Sequence, residues 1–267
     1  MLELNKIYHG DCLELMKDIP DNIIDLTVTS PPYDNLRTYN GFSFDFEGIA
    51  KELYRVTKPG GVVVWVVGDA TVNGSETLTS FKQALFFKEI GFNVHDTMIY
   101  AKYDYMPLTH NRYEQQFEYM FIFSKGKPKT FNPIKIPTKH AGRKNTTSHR
   151  RFSDDLEKGS GYGKKVKKEK IKPNIWFYNV GKNKSTKDAL AHKHPAIFPE
   201  QLAEDHILSW SNPGDIVFDP MAGSGTTCKM AMLNGRKYLG MEISKEYVDI
   251  ANKRIEKHQG KTIGTLI

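Results

Sequence analysis

The stretch Val28-Thr29-Ser30-Pro31-Pro32-Tyr33 gathers a small hydroxyl, two carbonyls on rigid prolines and an aromatic ring. Neither proline has an N–H for a sheet ladder, and each fixes φ near an extended value. Just before it, Ile23-Ile24-Asp25-Leu26-Thr27 is an apolar, β-branched run that reads as a buried strand. The turn therefore caps a strand's carboxyl end, the edge at which open α/β sheets bind ligands. For these residues alone, the plain alternative is a Pro-Pro turn with a surface tyrosine.

A second group carries nucleoside chemistry. Asp215 to Asp219 reads as a strand running into Pro220-Met221-Ala222-Gly223-Ser224-Gly225-Thr226-Thr227. A helix (Cys228 to Leu233) and a strand (Lys237 to Ile243) follow, with Glu242 near the end of the strand. The glycines admit close backbone approach, and the helix start offers N–H groups to an anionic end. Glu242, 23 residues after Asp219, suits ribose hydroxyls, although an ordinary strand-end carboxylate fits it too. The loop is shorter than a dinucleotide fingerprint and lacks the Gly-Lys-Ser/Thr of a phosphate loop. A nucleoside ending in a carboxylate suits it better than one ending in a pyrophosphate.

Charge separates a third region. Between Lys125 and Lys193 stand 20 Lys+Arg against 5 Asp+Glu, a net of +15, whereas the remainder carries −8. A basic insert on an acidic body fits a nucleic-acid partner, since cations meeting phosphate release counterions; a solvated lysine-rich loop is the alternative. With 267 residues, 39% hydrophobic and 12% aromatic, the chain can bury a substantial core. It has no run of about 18 apolar residues and its first residues lack a signal-peptide plan, so no membrane association is expected. Two cysteines, Cys12 and Cys228, fit a reduced cytoplasm and exclude a cysteine zinc site; no metal is expected.

The positioning elements follow from periodicity. Phe46 to Thr57 is helical, with Phe46, Ile49, Ala50, Leu53 and Val56 on one face, and Lys58-Pro59-Gly60-Gly61 stops it before a buried strand at Val62 to Val67. A helix from about Leu78 to Ile90 ends at Gly91. Asn93 to Lys102 and Phe117 to Ser124 form an expected antiparallel pair. Inside the basic region only Asn174 to Val180 looks strand-like. Helices at Phe198 to Trp210 and Lys245 to Lys257 complete the set.

In motif and order the chain resembles the beta class of S-adenosylmethionine-dependent DNA amino-methyltransferases. Phe218 to Thr226 looks like their cofactor motif and Val28 to Tyr33 like their catalytic motif, with the catalytic one first and a basic region between. Gly10-Asp11 and His194-Pro195-Ala196-Ile197-Phe198-Pro199 match flanking signatures. The resemblance covers nearly all of the chain except about Lys125–Lys193. It implies an α/β, Rossmann-like, circularly permuted fold with a mixed, mostly parallel seven-stranded sheet. Residues 1–124 would be the catalytic half, 125–192 a target-recognition insert and 193–267 the cofactor half.

By the same resemblance, Asp219, Ala222, Gly223, Ser224 and Gly225 line the cofactor's methionine and ribose side, with Thr226 and Thr227 at its carboxylate. Glu242 takes the ribose hydroxyls, Asp11 accepts from the adenine amine beside the Cys12 backbone, and Phe198 packs against the cofactor near Lys193 and His194. For Asp11, helix capping is the ordinary alternative. Ser30 Oγ and the Pro31 carbonyl, held by Pro32, would accept the hydrogens of an exocyclic amine, while Tyr33 stacks on an extruded base. Arg37 and Tyr39 could close on that base; Arg143, Lys144, Arg150, Arg151, Lys164 and Lys165 could contact DNA. The implied product is N4-methylcytosine, with N6-methyladenine as the alternative. Double-stranded DNA is the implied partner of a cytoplasmic, bacterial or phage-encoded enzyme, a monomer or homodimer; a cognate restriction endonuclease stays open. Competing readings are a protein or RNA methyltransferase and a DNA-binding protein on a decayed methylase fold.

Overall fold

A computed structural model describes residues 2–32, 44–104, 111–146, 161–181 and 183–260, and by backbone alone 149–152 and 155–158. The chain divides into two compact units, Met1–Asn132 with Asn174–Ile267, and Pro133–Pro173.

The first unit begins β1 (Lys6–His9), α1 (Cys12–Met16), β2 (Ile24–Thr29), α2 (Phe46–Val56) and β3 (Thr57–Val67). A small hairpin, β4 (Thr71–Val72) with β5 (Ser75–Glu76), leads to α3 (Thr79–Glu89), β6 (Asn93–Lys102) and β7 (Phe117–Ser124). The second unit contributes β8 (Lys135–Pro137), β9 (His149–Phe152), β10 (Asp155–Lys158) and β11 (Glu169–Ile171). The first unit then resumes with β12 (Ile175–Tyr178), a 3-10 helix (Ala189–Lys193) and α4 (Glu200–Trp210). It ends with β13 (Ile216–Asp219), α5 (Thr226–Leu233), β14 (Lys237–Glu242) and α6 (Lys245–Glu256).

One sheet runs β1-β14-β13-β2-β3-β7-β6-β12. It is mostly parallel; β7 alone runs against its neighbours β3 and β6. Eight strands replace the seven expected, because β12 adds in parallel to β6 from Ile175↔Ile99 to Tyr178↔Lys102. Local pattern marked that segment as a strand but carries no signal of which edge it joins.

Val62 to Val67 is buried throughout, as a strand covered on both faces must be. Asp45 caps α2, accepting from the Gly48 N–H at 3.0 Å, and Ile49, Ala50, Leu53 and Val56 are its buried stripe. Lys58-Pro59-Gly60-Gly61 does not separate helix from strand as expected. It lies inside β3, where the register to β2 shifts between Ile24 and Leu26 and Gly60 takes φ +82°. At the other boundary Phe198 lies before α4 rather than in it: Pro199 is extended (φ −64°, ψ 129°) and serves as N-cap.

An aromatic core sits between α2, α3 and the sheet. Phe87 meets Phe123 in a stack at 4.3 Å and packs edge-on against Phe46, Trp65 and Phe92. Trp65 Nε1 donates to Gln83 Oε1 at 2.8 Å, so the buried indole is satisfied.

In the second unit, β9 pairs antiparallel with β10, and β11 with β8. Strands of three or four residues are too short to leave a readable alternation, which is why the sequence showed none there.

Phe87 is fully buried and joins two helices to the sheet. Phe87→Ala is expected to lower stability by roughly 3–5 kcal/mol in urea denaturation, the usual range for a truncated core phenylalanine.

Candidate active site

Strands β1, β14, β13 and β2 are neighbours and mutually parallel, so their carboxyl ends line one edge. Along it stand, in spatial order, Gly10-Asp11 after β1, Glu242 on β14, Asp219 on β13, and Ser30-Pro31-Pro32 after β2. Only the sheet brings these residues together.

The closest link is between β2 and β13. Thr29 Oγ1 donates to Asp219 Oδ1 at 2.7 Å, and both residues are buried. The Met221 N–H donates to the same oxygen at 3.1 Å. Burial pushes the Asp219 carboxyl up to about 6, against the opposing pull of these donors. Thr227 Oγ1 donates to the Val28 carbonyl at 3.1 Å and ties the first turn of α5 to β2. Ser30 and Pro32 are half-buried and Pro31 is buried. Tyr33, Arg37 and Tyr39 lie outside the described residues.

Glu242 organises the loop between β13 and α5. Its Oε2 accepts from the Gly223 N–H and its Oε1 from the Ser244 N–H, each at 2.8 Å. Burial raises this carboxyl too, opposed by those N–H groups. Ala222 N–H donates to the Met241 carbonyl at 2.8 Å. Gly225, at φ +76°, turns the chain into α5; a Cβ there would stand 2.7 Å from Ala251 Cβ. At Gly223 it would stand 3.0 Å from His194 Nε2, so the His194 ring lies directly on the loop. That ring also meets Tyr247 edge-on at 4.3 Å.

Asp11 is exposed and caps α1, its Oδ1 accepting from the Leu13 N–H at 2.8 Å. Cys12 is half-buried and burial pushes its thiol up to about 12, which leaves it a poor nucleophile at neutral pH. Phe198 is half-buried just before α4. Ser224, Thr226 and Thr227 are buried, and the first two are hydrogen-bonded by Arg254. Sequence reading passed over Arg254, Lys229, Asp188 and Glu200, which gather behind the loop. The available signal was position: Arg254 follows Ala251 by three residues and precedes Ile255, on the apolar stripe of α6.

In the second unit Arg143, Lys144, Lys164 and Lys165 are exposed, and Lys144 bridges Lys165. Arg150 and Arg151 lie on β9, described by backbone only. No cluster that could hold a metal occurs among the described residues, and no helix among them is long and apolar enough to cross a membrane.

Two carboxylates in a low-dielectric edge, held by hydroxyl and backbone donors, favour a cationic ligand bearing hydroxyls and disfavour a pyrophosphate. A sulfonium nucleoside meets that description. A mostly parallel α/β sheet whose carboxyl edge carries these carboxylates beside a Ser-Pro-Pro turn is an arrangement suited to binding a nucleoside.

The chain belongs to the DNA methylase family of N6 and N4 amino-methyltransferases, whose model matches residues 24–253. It is 61% identical over 247 residues to the orphan methyltransferase M.BamHII of Bacillus amyloliquefaciens, covering 91% of this chain and 93% of that one. Among solved structures it is similar to the cytosine-N4-specific PvuII DNA methyltransferase, with a TM-score of 0.69 at 23% identity, over 93% of this chain and 85% of that one. The M1.HpyAVI complex with S-adenosylmethionine matches with a TM-score of 0.62 at 26% identity, over 93% and 98%. The protein is an S-adenosylmethionine-dependent DNA amino-methyltransferase.

The Asp219 proton is held more tightly in the folded chain than in the unfolded one. Its stabilising contribution is therefore complete below about pH 3.8 and is lost as pH rises to about 6. Asp219→Asn is expected to remove that downward slope, so the wild-type advantage shrinks by on the order of 2–3 kcal/mol across this window. Urea midpoints of both proteins, compared from acid to neutral pH, read it.

Proposed function

We propose that this enzyme methylates N4 of cytosine in double-stranded DNA, at a specific sequence, on a base turned out of the duplex. The carrying observation is Ser30, a hydroxyl residue at the end of β2, joined through Thr29 to the Asp219 strand end. In the proposed arrangement residues 1–124 form the catalytic half and 193–267 the cofactor half of a circularly permuted Rossmann-like domain. The two strands that must meet, β2 and β13, are neighbours in the sheet although 125–192 intervenes in the chain.

Bound S-adenosylmethionine supplies an electrophilic methyl group. An exocyclic amine is a weak nucleophile because its lone pair is delocalised into the ring. Ser30 Oγ and the Pro31 carbonyl accept hydrogen bonds from its N–H groups and draw nitrogen toward tetrahedral geometry. The new N–C bond would form as the methyl–sulfur bond breaks to leave a neutral thioether, and the surplus amine proton would pass through these acceptors to solvent. The Pro31-Pro32 pair makes these acceptors rigid before the substrate arrives. Tyr33 provides the stacking face, and Arg37 with Tyr39 the closing loop. On the cofactor side Glu242 takes the ribose hydroxyls, Asp219 and the Ala222–Thr226 loop the methionine and ribose, Asp11 with Cys12 the adenine, and Phe198 a packing face.

Serine rather than an acidic or amide residue before the prolines favours cytosine; N6 of adenine is the reading to exclude. Ser30→Ala is expected to lower kcat on the order of 100-fold with little change in cofactor binding. Separating nucleosides from DNA methylated by the wild type gives the base, and N6-methyladenine as sole product would overturn the cytosine assignment. The name of the M.BamHII relative favours an enzyme that works without a dedicated endonuclease.

For the insert 125–192 we assign target recognition, with Arg143, Lys144, Arg150, Arg151, Lys164 and Lys165 meeting phosphates and base edges. Neutralising Lys164, Lys165, Lys167 and Lys168 is expected to weaken DNA binding. The slope of log affinity against log salt should flatten by roughly 0.9 per lysine that meets a phosphate. An unchanged slope removes these lysines from the interface.

A further inference from the structure

Arg254 is fully buried, and its guanidinium is shared among four residues from three other segments. Nε donates to Asp188 Oδ2 at 3.1 Å and Nη2 to Glu200 Oε1 at 2.8 Å. Nη1 donates to the Ser224 carbonyl, to Ser224 Oγ at 3.0 Å and to Thr226 Oγ1 at 3.2 Å. Lys229 Nζ reaches the same Glu200 oxygen at 2.7 Å and stands 3.9 Å from Asp188 Oδ2. Thr186 Oγ1 donates to Glu200 Oε1 at 2.8 Å. Two buried cations thus face two carboxylates behind the glycine loop, and the exposed Lys257 Nζ stands 3.9 Å from Asp188 Oδ1. Burial alone would raise the Asp188 carboxyl, yet Arg254 holds it below its ordinary value.

The partners are not scattered. Asp188 caps the 3-10 helix that leads to His194, its Oδ1 accepting from the Leu190 N–H at 3.2 Å. Glu200 opens α4 directly after Phe198-Pro199. The segment carrying His194 and Phe198 is therefore gripped at both ends by the group that holds Ser224 and Thr226. Between those ends the His194 ring rests on Gly223.

We infer that Arg254 is a positioning residue for the cofactor. It locks the Ala222–Thr226 loop and the His194–Phe198 segment in one mutual arrangement, and so sets affinity for S-adenosylmethionine without touching it. The inference rests on the assignment of this edge as the cofactor site. A planar fork is needed to serve three directions at once; the ammonium of lysine preserves charge but is a point donor. Arg254→Lys therefore separates geometry from charge balance.

The test uses the full chain and measures four quantities for the wild type and Arg254→Lys. These are kcat, KM for S-adenosylmethionine, KM for DNA, and the melting temperature with and without S-adenosylhomocysteine. Arg254→Lys is expected to raise the cofactor KM about tenfold or more, with kcat at saturating cofactor within about twofold and the DNA KM unchanged. The shift in melting temperature on adding S-adenosylhomocysteine should shrink. An unchanged cofactor KM, whatever the melting temperature does, overturns the inference, as does an equal loss in both KM values. If Arg254→Lys does not fold, Glu200→Gln, at the cluster's half-buried side, is read in the same way. Glu242→Gln is run in parallel. An unaltered cofactor KM in that variant rejects the site assignment itself, whereas a raised one beside a wild-type value in Arg254→Lys rejects only the positioning role.

Discussion

The hydrogen bond from Thr29 to Asp219 joins two strands that lie 190 residues apart in the chain. Nothing local sets the spacing between the end of β2 and the end of β13; that spacing exists because the strands pair in parallel through Leu26 and Thr27 and are then tied at their tips. Thr227, bonded to the Val28 carbonyl, makes a second tie from the helix side. Under the proposed assignment, a turn that presents acceptors and a loop that holds a nucleoside are thereby kept on one edge. Buried hydrogen bonds of this kind contribute only about 1 kcal/mol net, but leaving one partner unsatisfied costs about 1–3 kcal/mol. Their larger effect is on geometry, since a slip of either strand would part the two halves of the proposed site.

The same edge concentrates groups whose ionised forms are disfavoured by burial. Asp219 and Glu242 are both pushed upward, and each is offset by donors from hydroxyls or backbone N–H groups. Carboxylates so placed gain from a ligand that brings positive charge, and under the proposed assignment the cofactor's sulfonium and ammonium lie on the Asp219 side. On the far side of the loop Asp188 and Glu200 are compensated within the protein, by buried Arg254 and Lys229 and, at Asp188, by the exposed Lys257. Removing one member of such a cluster leaves an uncompensated buried charge, and that typically costs about 3–5 kcal/mol.

These two situations explain what could be read from the chain alone. Ser30, Asp219 and Glu242 each stand in a contiguous run with its own strand, so residue types and spacing were enough to place each at a strand's carboxyl end. The face of α2 was legible because Ile49, Ala50, Leu53 and Val56 repeat with the helix. Arg254 was not, because a lone arginine in a charged helix normally faces water, and its partners come from residues 188, 200, 224 and 226. The place of β12 was hidden for a related reason: strand-forming residues announce extension, and pairing depends on a distant edge. Lys58-Pro59-Gly60-Gly61 misled because the residues that stop helices also make bulges. Asp11 shows the opposite difficulty, since a cap and a ligand acceptor use the same side chain, and its bond to Leu13 leaves one carboxylate oxygen unassigned by it.

The charge division of the chain bears on how such an edge meets DNA. Outside 125–193 the protein carries a net −8, and three of the carboxylates in that count, Asp11, Asp219 and Glu242, stand along the edge of the proposed site. Phosphates approaching that rim meet repulsion, within a screening length of about 8 Å at physiological salt. Affinity for the backbone must then arise from cations elsewhere, and the +15 stretch is where the sequence supplies them. In the proposed arrangement a cationic cofactor bound there would lower the local repulsion, and an extruded base would present a neutral ring rather than a phosphate to the acceptors of Ser30 and Pro31. Under the proposed assignment, base extrusion does two things at once: it exposes the amine, and it keeps the anionic backbone away from the carboxylates that hold the methyl donor.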